Sequence, residues 1–329
     1  MLKSKALPMK SIVILDGHTL NPGDLSWEKI KQLGRTTIYP RTSKEDVLDR
    51  VKDAEIIIVN KVKLDAEILE NAPLCQCICV TATGYNNIDI EKAKQKGIVV
   101  LNASNYGTGS VAQHVFALLL NITNRVNDQN VSVKKGEWGN QPDFCYGHES
   151  LERLEGKTIG IIGFGSIGQA VAKIADAFGM KVKVVARTAE KATKMGFEVQ
   201  SLAQIIPFCD IITLHIPLTE ETKNIMNKTI FQKMKEQVIL INTSRGDLIN
   251  EEDLFEGLKE KKPAFAALDV LKMEPPVNGN RLFELENCVL TPHVAWASKQ
   301  AREKLMEITE ENILCFLEGR PLNNLAKQK

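Results

Sequence analysis

Short apolar runs alternate with amphipathic stretches along almost the whole chain. In the first hundred residues the segments 12–15, 36–39, 56–59, 77–80 and 98–101 have the length of buried strands. The stretches near 24–33, 44–52, 65–71 and 87–96 between them have helical spacing. Alternating βα units of this size predict a parallel, doubly wound sheet of the α/β class. From Ser110 to Val126, Val111, Val115, Leu118, Leu119 and Ile122 recur at helical spacing, predicting a long, largely buried helix at a domain junction. His114 within it reads as a packed histidine. Residues 131–150 are polar and irregular, with Gly136, Gly139, Pro142 and Gly147 among the aromatics Trp138, Phe144 and Tyr146. Such a loop predicts a functional or interface arm.

A second series follows, with strands expected at 158–162, 181–186, 210–214, 238–242, 265–270 and 288–291. Helices are expected near 166–178, 201–206, 227–235 and 250–260, which together match a six-strand dinucleotide-binding sheet. A last amphipathic run over 298–317 repeats Leu305, Ile308, Ile313 and Phe316 before Gly319 and Pro321 end it. Residues 1–8 read as a loose extension.

Gly163-Phe164-Gly165-Ser166-Ile167-Gly168 lies between the expected strand 158–162 and the expected helix 166–178. In that setting the first glycine allows a tight turn and the second lets backbone approach a pyrophosphate. The third lets helix and strand pack closely. The phosphates would rest on N–H groups at a helix N-terminus, so the stretch predicts a bound dinucleotide.

Composition narrows this picture more than it adds to it. A chain of 329 residues is long enough for two domains, and 43% hydrophobic with 25% charged residues is ordinary globular usage. A net charge of +1 gives no reason to expect nucleic acid or an anionic membrane as a partner. No apolar run approaches a membrane span, and the segment 12–15 behind Lys3, Lys5 and Lys10 is too short for a signal peptide. Seven cysteines at irregular spacings argue against a disulfide framework. Cys75, Cys77 and Cys79 alternate, which places them on one face of a strand, as buried thiols without the further ligands of a metal site. A reduced, cytoplasmic protein is expected.

In an open α/β sheet, ligands collect beyond the carboxyl ends of the strands. Arg245, Glu274 and His293 fall there in succession, following the segments 238–242, 265–270 and 288–291. Hydride addition to a ketone leaves charge on oxygen, so a proton donor must stand beside it; histidine suits that role near neutral pH. A carboxylate partner fixes the ring and favours its charged form, and an arginine grips a carboxylate through two parallel bonds. The three side chains form a set suited to reduction of a 2-oxo acid.

The chain also resembles the D-isomer-specific 2-hydroxyacid dehydrogenase family over nearly its whole length. The resemblance rests on Thr83-Gly84-Tyr85-Asn86-Asn87-Ile88-Asp89, Tyr106-Gly107 with Ser110-Val111-Ala112-Gln113-His114, and the glycine-rich turn. It continues through His215-Ile216-Pro217-Leu218-Thr219, Thr243-Ser244-Arg245-Gly246, Asp269 with Glu274-Pro275, and Thr291-Pro292-His293. It implies catalytic roles for Arg245, Glu274 and His293, and a substrate carboxylate held on backbone N–H groups around Thr83 and Gly84. It implies cofactor contacts from Gly163, Gly165, Ser166, Ile167, Gly168, His215, Pro217, Thr243 and Asp269. It further implies a flavodoxin-like substrate domain from residues 1–103 and 297–329, with a Rossmann cofactor domain, 104–296, inserted in it. Within the family the chain looks most like the branch acting on glycerate, hydroxypyruvate and glyoxylate, through Val59-Asn60-Lys61, Tyr85-Asn86-Asn87 and Pro142-Asp143-Phe144-Cys145-Tyr146. That similarity puts Lys61 near the substrate carboxylate, pairs family dimers through the helix and arm over 105–150, and lets Trp138 reach toward the partner's site.

NAD-selective sites carry an acid at the end of the second strand for the ribose hydroxyl. Here Ala186 stands eighteen residues after Gly168, followed by Arg187 and Thr188, which suit a 2′-phosphate. NADP(H) is therefore the expected cofactor, with NAD(H) as the alternative. Competing readings are a D-lactate-type or 3-phosphoglycerate dehydrogenase of the same family, and a non-catalytic nucleotide-sensing scaffold; the acid–base residues argue against the last.

Overall fold

A computed structural model of the chain describes residues 9–147, 151–320 and 323–327. The expected N-terminal extension and Pro321 lie outside these residues. Contacts divide the chain into two compact units, Met1–Gly107 with Ala297–Lys329, and Thr108–Trp296.

The first unit holds a five-stranded parallel sheet of β1 (Lys10–Ile14), β2 (Gly34–Ile38), β3 (Ile56–Val59), β4 (Cys77–Val80) and β5 (Val99–Asn102), in the order β2-β1-β3-β4-β5. Its inner strands are buried on both faces, and the two-residue period sorts their side chains. Val13, Ile57, Val59, Ile78 and Val80 enter one core, while Ile12, Ile14, Ile56, Ile58, Cys77 and Cys79 enter the other. The C-terminal helix Lys299–Glu318 returns to this unit and buries Ile313 in the second core. The cysteine expectation needs correction. Cys77 and Cys79 share a face, but Cys75 precedes the strand, where the pleat does not govern it, and packs in the opposite core.

The second unit holds seven parallel strands: β6 (Thr158–Ile162), β7 (Lys181–Val185), β8 (Glu198–Val199), β9 (Ile211–Leu214), β10 (Ile239–Asn242), β11 (Phe265–Leu268) and β12 (Cys288–Leu290). Their order is β12-β11-β10-β9-β6-β7-β8, so the winding reverses at β6. The helices Thr108–Asn124 and Ser166–Ala177 cover one face with Val115, Phe116, Leu119, Val171 and Ala175. Phe231 and Leu254 from Lys228–Lys233 and Glu251–Lys259 cover the other. The sequence pattern missed β8 because this edge strand is two residues long and has no apolar run. The arm also departs from expectation. Arg125, at φ 50°, ends the long helix, and Val126–Lys134 forms a second helix before residues 135–147. None of its residues is buried, so no apolar stripe announced it.

Candidate active site

Six strands of the second unit release a predicted site residue at their carboxyl ends. The glycine-rich turn follows β6, at the reversal point of the sheet. Gly163 adopts φ +100°, and a Cβ there would meet the His215 carbonyl oxygen at 2.3 Å. A Cβ on Gly168 would meet the Gly163 carbonyl oxygen at 2.1 Å, so helix and strand pack as closely as the motif requires. Gly165 differs: a Cβ would find nothing within 4 Å, leaving open space at the helix N-cap. Ser166 is exposed and Ile167 half-buried in the first turn of that helix. This is a cradle of the form a pyrophosphate needs.

Arg187 and Thr188 are exposed beyond β7, next to a half-buried Ala186. His215 follows β9; its Nε2 lies 3.0 Å from Thr213 Oγ1, and burial pushes its pKa down to about 3, which keeps the ring neutral. Pro217 is exposed and its carbonyl accepts from Thr222 Oγ1 at 2.7 Å. His215 Nδ1 and Thr243 Oγ1 are buried without a hydrogen-bond partner among the described residues. Buried polar atoms are rarely left so, and two of them, just beyond the neighbouring strands β9 and β10, fit a site built to receive a polar cofactor.

The loop after β10 is shaped by Asn242, which is fully buried. It accepts from Ser244 N at 3.0 Å and donates to the Arg245 carbonyl at 2.8 Å. The guanidinium of Arg245 reaches the Ser244 carbonyl at 2.7 Å. The next residue, Gly246, lies so close to Leu271 that a Cβ would stand 2.0 Å from its carbonyl carbon. The arginine-bearing loop is thereby pressed against the segment leading to Glu274, whose Oε1 accepts from Leu271 N at 2.9 Å.

Glu274 and His293 are brought together directly: His293 Nδ1 lies 2.5 Å from Glu274 Oε2. Their side chains are 24% and 34% exposed, so the pair is shielded yet reachable. His293 sits at φ 55°, in the left-handed region that costs a non-glycine residue about 1–3 kcal/mol. Asp269 explains how it stays there. It is 1% exposed, its carbonyl accepts from His293 N at 2.8 Å, and its carboxylate accepts from Thr291 Oγ1, Val294 N and Ala295 N at 2.6–2.9 Å. His114 Nε2 lies 3.0 Å from Thr291 Oγ1 and 3.5 Å from Asp269 Oδ1, a link that its helical periodicity did not signal.

In the first unit, Lys61 is exposed in the loop after β3, and Thr83 and Gly84 follow β4. Asn102 Nδ2 donates to the Thr83 carbonyl at 2.7 Å, and Asn87 Nδ2 donates to the Val62 carbonyl at 2.9 Å, so the two loops are tied to their surroundings. Asp16 and Asn87 hold this region; Asn87 belongs to the motif over 83–89, whereas the only mark of Asp16 in the sequence is its place just beyond β1. Trp138, in the arm of the other unit, is half-exposed and donates from Nε1 to the Phe144 carbonyl at 2.9 Å.

The family model described as D-isomer specific 2-hydroxyacid dehydrogenase, NAD binding domain, matches residues 116–295. A hydroxypyruvate reductase of Blautia hydrogenotrophica is 44% identical over 96% of this chain and 99% of its own. A glycerate dehydrogenase of Methylorubrum extorquens is 38% identical over 85% and 88%. Among solved structures, an acyclic imino acid reductase in complex with NADPH and D-Arg superposes with a TM-score of 0.83 at 33% identity, covering 96% of this chain and 99% of that one. With a nicotinamide-cofactor cradle after β6 and a histidine–carboxylate pair beyond β12 of the same sheet, the chain belongs to the D-isomer-specific 2-hydroxyacid dehydrogenases.

Proposed function

We propose that the enzyme reduces the carbonyl of hydroxypyruvate or glyoxylate to D-glycerate or glycolate. The observation that carries the reading is the contact between His293 Nδ1 and Glu274 Oε2 at the carboxyl edge of the cofactor-binding sheet. Glu274 orients the ring, leaving Nε2 as the atom that hands a proton to the substrate oxygen. Arg245 pairs with the substrate carboxylate and polarises the adjacent carbonyl. A bound nicotinamide supplies the hydride. Lys61 and the backbone N–H groups around Thr83 and Gly84 take part in binding the substrate carboxylate. In this reading residues 1–103 and 297–329 form the substrate domain and 104–296 the cofactor domain.

The cofactor is NADP(H) in preference to NAD(H). No acid stands at the end of β7 to repel a 2′-phosphate, while Arg187 and Thr188 are exposed there to bind one. The enzyme works as a homodimer paired through the helix and arm over 105–150. Phe144 at 89% exposure, with Val126, Val131, Val133 and Trp138, gives that arm an apolar surface in want of a partner. Sedimentation of the protein measures the dimer, and a monomer at micromolar concentration refutes it. A kinetic panel of glyoxylate, hydroxypyruvate, pyruvate and phosphohydroxypyruvate, each with NADPH and NADH, tests the substrate and cofactor. Highest kcat/KM for pyruvate or for phosphohydroxypyruvate moves the enzyme to a different branch of its family.

A further inference from the structure

The loop that carries Lys61 is held by a carboxylate that the catalytic scheme does not use. Asp16 stands two residues beyond β1 and is 8% exposed. Its Oδ1 accepts the N–H of Asn60 at 2.8 Å, and its Oδ2 accepts those of Lys61 at 2.6 Å and Val62 at 3.1 Å. Successive backbone N–H groups make a concavity that binds anions, and here the chain supplies the anion itself. The loop is gripped from other directions as well. Asn60 Nδ2 donates to the Thr81 carbonyl at 2.5 Å, and Asn87 Nδ2 reaches the carbonyls of Val62 and Asn60 at 2.9 and 3.4 Å.

The hydrogen bonds at position 16 call for two acceptor oxygens. Three donors meet two oxygens, and a carboxylate accepts at both, whereas an amide of the same size would turn N–H₂ toward at least one N–H. Removing an acceptor also leaves a buried N–H unsatisfied, which costs more than the bond contributes. Lys61 is the middle residue of the three, so its Cα is fixed even though its flexible side chain is exposed. A lysine mounted on a fixed backbone loses less entropy when it closes on an anion.

We propose that Asp16 is a positioning residue for substrate binding, acting through the N–H groups of residues 60–62 on Lys61. The inference rests on the reading of Lys61 as a contact to the substrate carboxylate. Because positioning serves binding rather than proton transfer, it affects KM more than kcat.

The test is steady-state kinetics of the full chain with hydroxypyruvate for Asp16→Asn, Lys61→Ala, the double variant and Asn87→Ala, together with cofactor affinity and melting temperature. Asp16→Asn is expected to raise KM about tenfold, the size of a lost charged hydrogen bond, with a much smaller fall in kcat and unchanged cofactor affinity. The double variant should have a KM within about twofold of Lys61→Ala, because coupled residues are not additive. If Lys61→Ala raises KM and Asp16→Asn does not, or if the two effects add in full, the inference fails and the Lys61 reading stands. If Lys61→Ala leaves KM unchanged, the Lys61 reading fails and takes the inference with it. A joint loss of kcat, cofactor affinity and melting temperature in Asp16→Asn marks a merely structural residue and also overturns it. Should Asp16→Asn not fold, Asn87→Ala loosens the same loop from its carbonyl side. It must then show the rise in KM with kcat retained, or the proposal is wrong.

Discussion

His293 and Glu274 meet at 2.5 Å between Nδ1 and Oε2, although nineteen residues separate them and each is carried by a different strand end. The ring is held by the Glu274 carboxylate, and the backbone N–H of the same residue by the Asp269 carbonyl. With His293 as the proton donor, His293→Ala should lower kcat by about 10²–10⁴, the range of general acid–base catalysis. Glu274→Gln keeps the size but not the charge and should lower kcat by a smaller factor, about 10–100. Cofactor binding, followed by fluorescence titration, should survive both. Wild-type turnover in His293→Ala would remove it from the mechanism.

The glycine-rich turn separates two roles that substitution can distinguish. Gly163→Ala drives a Cβ to 2.3 Å from a carbonyl oxygen at a positive φ, so the fold itself must give way. Its melting temperature should fall by at least about 5 °C, equivalent to roughly 2 kcal/mol in a unit of this size. Gly165→Ala adds a methyl where no protein atom lies within 4 Å. It should melt like the wild type yet bind NADPH about tenfold or more weakly, because the methyl occupies the approach of the pyrophosphate. Calorimetry and titration on the two variants measure the contrast. Equal melting losses in both would contradict it.

Cofactor choice should be reversible at the end of β7. Ala186→Asp places an acid where a ribose hydroxyl would bind and a 2′-phosphate would be repelled. The ratio of kcat/KM for NADPH over NADH should fall by about 10–100-fold, one to two steps of 1.4 kcal/mol. A ratio that does not move would show that position 186 takes no part in the choice.

Acid sensitivity should have a definite sign. His215 has its pKa lowered from 6.5 to about 3 by burial, so between those values the unfolded chain binds a proton that the folded chain refuses. Its contribution to stability is complete above about pH 6.5 and is lost as pH falls toward 3. The slope is at most about 1.4 kcal/mol per pH unit. In the absence of cofactor, His215→Asn should therefore flatten the decline of melting temperature between pH 6.5 and 4. A parallel decline in wild type and variant would show that another group governs acid unfolding.

Much of this protein was legible in the order of its residues. Five apolar runs before residue 102 and six after 157 became strands, because a parallel sheet buried on both faces demands continuous apolar segments with helices between them. The glycine trio announced its own turn, since its constraints are local: a left-handed φ at Gly163 and close packing at Gly168. Elements without such a local signature were not visible. The strand β8 takes its place from the register of Lys183 with Glu198 and of Val184 with Val199, and the helix Val126–Lys134 buries no face. Cys75 showed the limit of the two-residue period, which governs a side chain only within the strand.

The candidate site divides in the same way. Residue type and position after a strand singled out Arg245, Glu274 and His293 from the sequence by itself. The contact of Glu274 with the His293 ring is the pairing that this set required. Only the tertiary structure decided that Gly246 packs against Leu271, and that Asp269 and Asp16 direct their carboxylates to the backbone of loops. A buried carboxylate satisfied by N–H groups from twenty-five or forty-five residues away leaves no periodic trace in the chain. Its partners are chosen by which strand ends lie side by side, and that is a property of the folded sheet.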